Sequence, residues 1–473
     1  MAKRVGELLE VENGAPGLNP LQSGDAAASH VVVLDDHDPL AQVLAANYAS
    51  SLRADLAVIP EGEDVVCAHV YQELDERARF RGDTRGERAL KSLGSLRASL
   101  TSHLAFGQRE FVTFITRGIP YGYFYREAPS THLFSQPHLG ELIIAGIYTA
   151  EIGAECFAAV LIDPGHFGSS ETGAIATTLR DKGVVVEVLA GEDAAVDRTM
   201  DYICAYPYDL LFICSHCGEL PGIRSKIKVP DSEGCMHIVE IEETPSFSSL
   251  ALKASPSELI EVFVLLRPVA IDGIPWHSTG PELKRHYGAV FSCLRKTPPT
   301  EREVLSRERV SHAQFTTGIW LSDGPFILRS VQTVDTALSP VVFNNACVSY
   351  YDGAQALTFA GARSYVGTLA PVPTVAAQRL AERVFAGFDK EQPLAHALWG
   401  AQSEVFADPD DRTYIHVGCH FNTVRAPHRD APTAVKERIR GAKSKYAQFV
   451  RKHDGEAVTL SHRFLHFLSQ FGD

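Results

Sequence analysis

Several features that would assign a protein to a specialised class are missing from this sequence. No apolar run approaches the roughly 20 residues that cross a bilayer. The polar stretch from Met1 to Asp25 has no apolar core of the kind that directs secretion. The 473 residues include nine cysteines, too few for a disulfide scaffold. We therefore expect a cytoplasmic protein with reduced thiols.

An excess of positive charge is also absent. The chain has 44 basic and 58 acidic residues, a net charge of -14, which argues against nucleic acid or a membrane surface as a partner. Gly165 and Gly168 lack the Lys-Ser/Thr of a phosphate loop. Cys214 and Cys217 have CxxC spacing but no second such pair, whereas structural zinc uses four ligands. We expect neither a cofactor nor a metal.

Apolar runs of strand length alternate with helical periodicity through much of the chain, which is typical of an α/β fold with a doubly wound, mostly parallel sheet. The pattern occurs twice, which indicates a structural duplication. The first three predicted strands are 30–34, 56–59 and 111–115, and the second three are 158–162, 183–189 and 210–215.

The length suggests two or three domains. Alternating apolar and polar residues on both sides of Pro230 to Gly234 predict a hairpin, so we place a β-rich insertion in the second α/β domain. The predicted segments are a flexible leader (1–28), an N-terminal α/β domain (29–145), a second α/β domain (146–430, with the insertion at about 219–339) and a basic helical tail (431–473).

Two predicted strands end abruptly at a reactive residue. His216 follows the apolar run 210–215, and Cys347 follows the run that begins at Val341. Parallel sheets place their chemistry outside the carboxyl ends of the strands. A thiol beside a histidine and a helix N-terminus is a better nucleophile, because its thiolate fraction rises. Most cysteines in apolar runs are core residues, and Cys347 is singled out from them by its position at a strand end.

Three stretches of this sequence resemble the CHAT family of caspase-like proteins. The first is Asn345-Ala346-Cys347-Val348-Ser349. The second, residues 356–369, contains the run Gly361-Ala362-Arg363-Ser364-Tyr365-Val366-Gly367-Thr368-Leu369. The third is Pro393-Leu394-Ala395-His396-Ala397-Leu398-Trp399. His216-Cys217-Gly218 is similar to the His-x-Gly that follows an apolar strand in that family.

The resemblance implies a caspase-like cysteine endopeptidase with a His216/Cys347 pair. His216 would chiefly protonate the leaving amine, and the N–H groups of Gly218 and Cys347 would hold the oxyanion. The first half carries Arg117-Gly118 at the place of the histidine, so it is interpreted as a silent copy. This tandem arrangement is similar to that of gingipain-type peptidases.

An acidic residue near the active site would set the substrate preference. Asp163 follows the first strand of the catalytic half. In caspase-like peptidases the side chain at this position often lines the S1 pocket. A carboxylate there favours Arg or Lys at P1 through a charge-assisted contact. The alternative is that Asp163 caps the following loop. Asp352 and Asp323 are further candidates for the pocket.

Other classes of function stay open. The chain could be a catalytically silent scaffold or a ligand-gated sensor that controls interactions. By analogy with bacterial caspase-like enzymes, the expected partner is one specific protein substrate in a defence or cell-death pathway. An activating protein or ligand is a further expected partner.

Overall fold

The structure, a computed structural model, describes most of the chain. The described residues are 18–19, 29–35, 38–60, 64–102, 104, 106, 109–135, 138–168, 170–220, 222–231, 233–248, 261–276, 281–298, 302–310, 317–328, 331, 334, 339–388, 392–452 and 456–472. The chain divides into two compact units. The first comprises Met1–Cys217, Trp320–Gly324 and Leu328–Asp473, and the second comprises Gly218–Ile319 and Pro325–Ile327.

The strands differ in length and setting. Most of those in the first unit are short and buried, as expected for a central parallel sheet. In chain order they are β1 (Leu18–Asn19), β2 (His30–Leu34), β3 (Asp55–Val58), β4 (Phe111–Thr116), β5 (Ser130–Phe134), β6 (Ala158–Asp163), β7 (Val185–Ala190), β8 (Leu210–Ile213), β9 (Cys217–Glu219), β10 (Gly222–Pro230), β11 (Met236–Ser248), β12 (Glu261–Ile271), β13 (Ile274–Pro275), β14 (Glu303–Val310), β15 (Thr317–Leu321), β16 (Gly324–Ile327), β17 (Val341–Asn344), β18 (Ser364–Thr368) and β19 (Tyr414–Gly418).

The helices connect these strands and extend to the C-terminal region. Several begin at an Asp that accepts a backbone N–H, as at Asp38 and Asp83. They are α1 (Pro39–Leu52), α2 (Asp64–Arg79), α3 (Thr84–Thr101), α4 (Tyr121–Phe124), α5 (Leu139–Glu151), α6 (Glu171–Asp181), α7 (Val196–Ala205), α8 (Pro281–Lys296), α9 (Tyr350–Phe359), α10 (Thr374–Ala386), α11 (Leu394–Val405), α12 (Ala431–Lys452) and α13 (Glu456–Ser469).

One large sheet organises the first unit. Its eleven strands have the order β1-β3-β2-β4-β5-β19-β18-β17-β8-β6-β7. Neighbours are parallel except at the β1–β3 edge and at the β18–β19 pair in the middle. The predicted α/β class with a mostly parallel sheet is therefore confirmed.

The strand order shows the duplication. In the first half, β3 follows β2 in the chain but pairs on its outer side, which gives the order β3-β2-β4. The second half repeats this arrangement as β7-β6-β8. Because β18 and β19 are antiparallel, the carboxyl ends of the two halves lie at opposite edges of the sheet. Arg117, after β4, therefore lies at the edge opposite to His216, after β8.

The core beneath the second half is aromatic and aliphatic. All four residues of β8 and all four of β17 are buried. The ring of Phe212 lies 5.8 Å from that of Phe343, and Phe385 of α10 lies within 5.8 Å of both. Burial of a side chain of this size stabilises the fold by about 1.5–3 kcal/mol. These contacts give β8 and β17 a fixed position from which loops can present side chains.

The second unit is built on an antiparallel sheet with the order β13-β12-β11-β10-β14. The predicted hairpin is confirmed, because Pro230 pairs with Met236 across β10 and β11. Helix α8 packs on this sheet with Val290 and Leu294, which join a core that includes Ile227 and Val239. Strand β12 of this sheet starts at Glu261, where the described residues resume.

The predicted basic tail forms two helices that pack within the first unit. Arg438 of α12 pairs with buried Asp209 at 2.7 Å, and Arg463 of α13 pairs with Asp201 at 2.6 Å. The ring of Phe467 lies 5.0 Å from that of Tyr202 on α7. The tail is therefore anchored by ion pairs and aromatic contacts rather than only solvated.

Some elements were not predicted. Two consecutive helices, α2 and α3, are separated at Gly82, which has φ 83. Strand β5 and helix α5 were missed. In the predicted leader, Leu18–Asn19 pair with β3, while 1–17 and 20–28 lie outside the described residues. No helix within the described ranges is long and apolar enough to span a membrane.

Candidate active site

The carboxyl ends of β8 and β17 meet at one edge of the large sheet. The two strands are adjacent and parallel, with Ile213 paired to Asn344, and the N–H of Asn345 donates to the carbonyl of Ile213 at 2.8 Å. His216 lies three residues beyond Ile213, and Cys347 lies three residues beyond Asn344. The structure therefore places the two predicted residues at equivalent positions on the same edge.

A tight turn carries Cys347 from β17 into α9. Val348 has φ 52, a left-handed conformation that β-branched residues rarely adopt. The hydroxyl of Ser349 donates to the carbonyl of Asn344 at 3.2 Å and accepts the N–H of Thr368 at 3.1 Å. The turn is thus held against β18. Strained backbone that is held by its surroundings is typical of functional sites.

The Cys347 thiol is partly buried beside the loop that follows β18. The N–H of Val372 donates to its sulfur at 3.4 Å. Burial raises the pKa of Cys347 above the ordinary value, although the Val372 N–H opposes this shift. At neutral pH the side chain is therefore a protonated thiol, and it requires a base to become a nucleophile.

His216 is exposed at the end of β8. Its carbonyl accepts the N–H of Trp320 at 2.9 Å, and its ring lies 4.4 Å from that of Phe167 and 5.3 Å from that of His166. Partial burial and then the charge of His166 lower the pKa of His216. The ring is therefore neutral at pH 7, the form that can accept a proton.

Gly218 and Cys217 lie in the short strand β9. Gly218 is half-buried, and a Cβ at this position would have no atom within 4 Å. The cysteines at 214 and 217 form no disulfide bond. Among the described residues no group of three or more His, Cys, Asp or Glu could hold a metal ion.

Asp163 ends β6 and its side chain closes the following turn. Its Oδ1 accepts the N–H of Gly165 at 2.9 Å, and Gly165 has φ 81. This is the capping role that was considered as the alternative. One oxygen is used in this way, so capping and a role in substrate binding are compatible.

The two other acidic candidates have different settings. Asp352 lies in the first turn of α9 and is 3 % exposed. Asp323 is exposed, and its Oδ1 accepts the N–H of Val196 at 2.9 Å, at the start of α7. Asp323 is therefore a helix cap supplied by a distant segment of the chain.

A buried acid that the sequence interpretation missed lies beneath the candidate pair. Glu171 begins α6 and is 1 % exposed. It contacts Asn345 and Cys214, which precede Cys347 and His216. An acid in the first turn of a helix is ordinarily explained by the helix dipole, so local sequence does not single it out.

Close packing around Gly367 explains why this position of the motif is a glycine. A Cβ at this position would lie 2.6 Å from Cε1 of Tyr365 and 2.9 Å from Oγ of Ser349. We expect Gly367→Ala to lower the free energy of unfolding by about 1–3 kcal/mol, measured by urea denaturation. Gly400→Ala is the control, because nothing lies within 4 Å of its Cβ position. Equal stability of the two variants would contradict the explanation.

Residues 300–443 match the family model for the CHAT domain, which confirms the predicted resemblance over the segment that contains Cys347. Among solved structures, the chain is similar to the Arg specific cysteine proteinase gingipain R (RGPB). The TM-score is 0.41 at 10% identity, with 86% of this chain and 80% of that chain covered.

A complex of Porphyromonas gingivalis RgpB pro- and mature domains gives a TM-score of 0.43 at 10% identity, with 84% and 80% of the two chains covered. No curated protein matches the sequence.

Proposed function

We propose that the protein is a cysteine endopeptidase in which Cys347 is the nucleophile and His216 the acid–base residue. The observation that carries this proposal is the register of β8 and β17, which brings both residues to one sheet edge at equivalent positions. The strained turn at Val348 and the CHAT match over this segment support it.

The proposed reaction follows from the protonation states of the two side chains. His216 takes the proton of the Cys347 thiol, and the sulfur attacks the peptide carbonyl carbon. The N–H of Cys347 stabilises the oxyanion, with Gly218 as the predicted second donor. Collapse expels the amine, which receives the proton from His216. Water, deprotonated by His216, then hydrolyses the thioester and restores the thiol.

Both groups are neutral in the free protein, because burial raises the pKa of Cys347 and lowers that of His216. A neutral pair has little thiolate at rest. This supports the expectation that an activating protein or ligand precedes cleavage. From the resemblance we retain a cytoplasmic role in a defence or cell-death pathway, with one specific protein as substrate.

The proposed P1 preference is for Arg or Lys. Asp163 lies at the carboxyl end of β6, the strand beside β8, so its position is at the same sheet edge as His216. With one oxygen bound to the Gly165 N–H, the carboxylate keeps acceptor capacity for a guanidinium or ammonium group.

Cleavage of a fluorogenic peptide library that varies P1 tests this function. We expect wild type to cut after Arg or Lys, and Asp163→Asn to lower kcat/KM for these peptides about 10- to 100-fold, since a hydrogen bond to a charged group contributes about 1.5–3 kcal/mol. Asn keeps the acceptor for Gly165, so the variant removes only the charge. Asp181→Asn, at an exposed helix end, is the charge-matched control.

Each outcome has a distinct meaning. Cleavage after a non-basic residue that is unaffected by Asp163→Asn would contradict the pocket assignment but not the His216/Cys347 pair. If no peptide is cut and Cys347 reacts with no substrate-like electrophile, the endopeptidase proposal is wrong and the silent scaffold is favoured.

A further inference from the structure

Glu171 is a carboxyl group in the interior of the first unit. It begins α6, directly after the loop that follows β6, and its exposed fraction is 1 %. A carboxyl group buried to this degree is costly unless its oxygens have hydrogen-bond partners. The partners of Glu171 therefore indicate what the group does.

One carboxyl oxygen holds the segment that carries Cys347. Nδ2 of Asn345 donates to Oε1 of Glu171 and also to the carbonyl of Ala377 at 3.2 Å. Oδ1 of Asn345 accepts the hydroxyl of Tyr414 at 2.5 Å. Both ends of the amide are thus used, which fixes its orientation, so that Asn345 requires an acceptor at Glu171.

The other carboxyl oxygen holds the segment that carries His216. The thiol of Cys214 donates to Oε2 of Glu171 at 3.6 Å. Cys214 and Asn345 each lie one residue beyond the paired Ile213 and Asn344, and each lies two residues before a candidate catalytic residue. One carboxyl group therefore joins the ends of β8 and β17 at the same level of the sheet.

We propose that Glu171 is a positioning residue that sets the spacing of His216 and Cys347 by holding Cys214 and Asn345 with its two oxygens. The effect of this positioning on catalysis rests on the proposed function. Glu171 is shielded from substrate by its burial, so it acts through its two neighbours.

The charge of this group changes near neutral pH. Burial raises the pKa of Glu171 to about 7; hydrogen bonds from Asn345 and Cys214 oppose the shift, and Asp163 and Glu382 add to it. Tyr414 on β19 also faces it; burial raises the pKa of Tyr414 well above its ordinary value, and the charge of Glu171 adds to that rise.

Protonation of Glu171 affects its two contacts unequally. The amide of Asn345 keeps Oε1 as an acceptor, so the proton binds Oε2 and replaces a charge-assisted hydrogen bond from the Cys214 thiol with a weaker neutral one. Below pH 7 the His216 segment is therefore held less strongly, while the Cys347 segment keeps its acceptor.

Three variants test the proposal. Glu171→Ala removes both acceptors, and Glu171→Gln keeps an acceptor for Asn345 without a charge. Glu141→Gln, at an exposed acid in the first turn of α5, is the control. We expect kcat to fall about 100-fold in Glu171→Ala and about tenfold in Glu171→Gln, since misplacement of reacting groups by about 1 Å has effects of this size. KM should not change, and Glu141→Gln should match wild type within about twofold.

The pH profile separates positioning from a general structural role. Wild-type kcat should decline below a midpoint near pH 7, and the part of this decline that Glu171 causes should be missing in Glu171→Gln. The rate of Cys347 alkylation by iodoacetamide, followed by mass spectrometry between pH 5.5 and 8.5, should show the same difference without any peptide cleavage.

Two results would overturn the proposal. The first is a folded Glu171→Ala protein with kcat within threefold of wild type. The second is an alkylation profile of Glu171→Gln that coincides with that of wild type. If Glu171→Ala does not fold, Glu171→Gln decides. If wild type cleaves no peptide, the proposed function is affected, and the alkylation profiles alone decide the positioning role.

Discussion

Replacement of Cys347 by alanine is expected to lower kcat/KM for peptide cleavage by about 10⁴-fold or more, because the nucleophile is removed and the other groups of a catalytic unit cannot replace it. Burial around Cys347 is incomplete, and alanine removes one sulfur atom, so the fold should persist. Cleavage of the preferred peptide is the measurement, with circular dichroism to verify folding.

The matched control for this variant is Cys235→Ala. Cys235 is an exposed free thiol in the second unit, and its loss should leave cleavage unchanged. His216→Ala should lower kcat by about 10²- to 10⁴-fold, the range of general acid–base catalysis. Cleavage that survives in Cys347→Ala would show that the observed activity comes from another residue or another protein.

Acidification from pH 7.5 to pH 5 is expected to destabilise the protein by several kcal/mol. His30, His132 and His416 are buried in the large sheet, and burial is the main reason that the pKa of each is lowered to about 3. The unfolded chain, with histidine pKa values near 6.5, binds protons that the folded protein excludes.

The sign of the pH effect follows from this difference in proton binding. The contribution of these histidines is fully present above pH 6.5 and is lost as the pH falls toward 3. Between pH 6.5 and pH 5 each of these histidines lowers the free energy of unfolding by about 2 kcal/mol, at 1.36 kcal/mol per pH unit. Glu171 acts in the opposite sense. Its pKa is raised in the folded protein, so its protonation in acid stabilises the folded state and offsets part of the loss.

Urea unfolding at pH 7.5 and pH 5 measures this dependence. His30→Gln keeps a partner for the Thr113 hydroxyl, to which His30 is hydrogen-bonded at 2.9 Å, and should reduce the pH-dependent change by about 2 kcal/mol. His428→Gln is the control, because the side chain of His428 is 74% exposed. An identical pH dependence in wild type and His30→Gln would contradict the assignment.

Strands with continuous apolar sequence were predictable, and those with polar sequence were not. β8 and β17 are buried on both faces and contain only apolar residues before their last positions. β5 is Ser-Thr-His-Leu-Phe, and its buried polar residues, Thr131 and His132, have hydrogen-bond partners elsewhere in the chain. The hydroxyl of Thr131 donates to the carbonyl of Gly418 at 2.7 Å, a partner that local sequence does not indicate.

The same distinction applies to the candidate site. His216 and Cys347 could be predicted because each comes three residues after a buried strand, and the ends of parallel strands in one sheet meet at an edge. Glu171 could not be predicted, since its role depends on Asn345 and Cys214, which are brought to it by the order of β6, β8 and β17. The antiparallel β18–β19 pair, which separates the carboxyl ends of the two halves, also has no local sequence signal.

The most direct test of the central proposal is the site at which a substrate-like electrophile labels the protein. A peptidyl chloromethyl ketone with Arg at P1 would be applied to wild type and His216→Ala, and the modified cysteine identified by mass spectrometry. The proposal predicts labelling of Cys347 in preference to exposed Cys235, at least tenfold slower in His216→Ala. If the cysteines are instead labelled in order of their solvent exposure, with Cys235 first and no effect of His216→Ala, the proposal is contradicted.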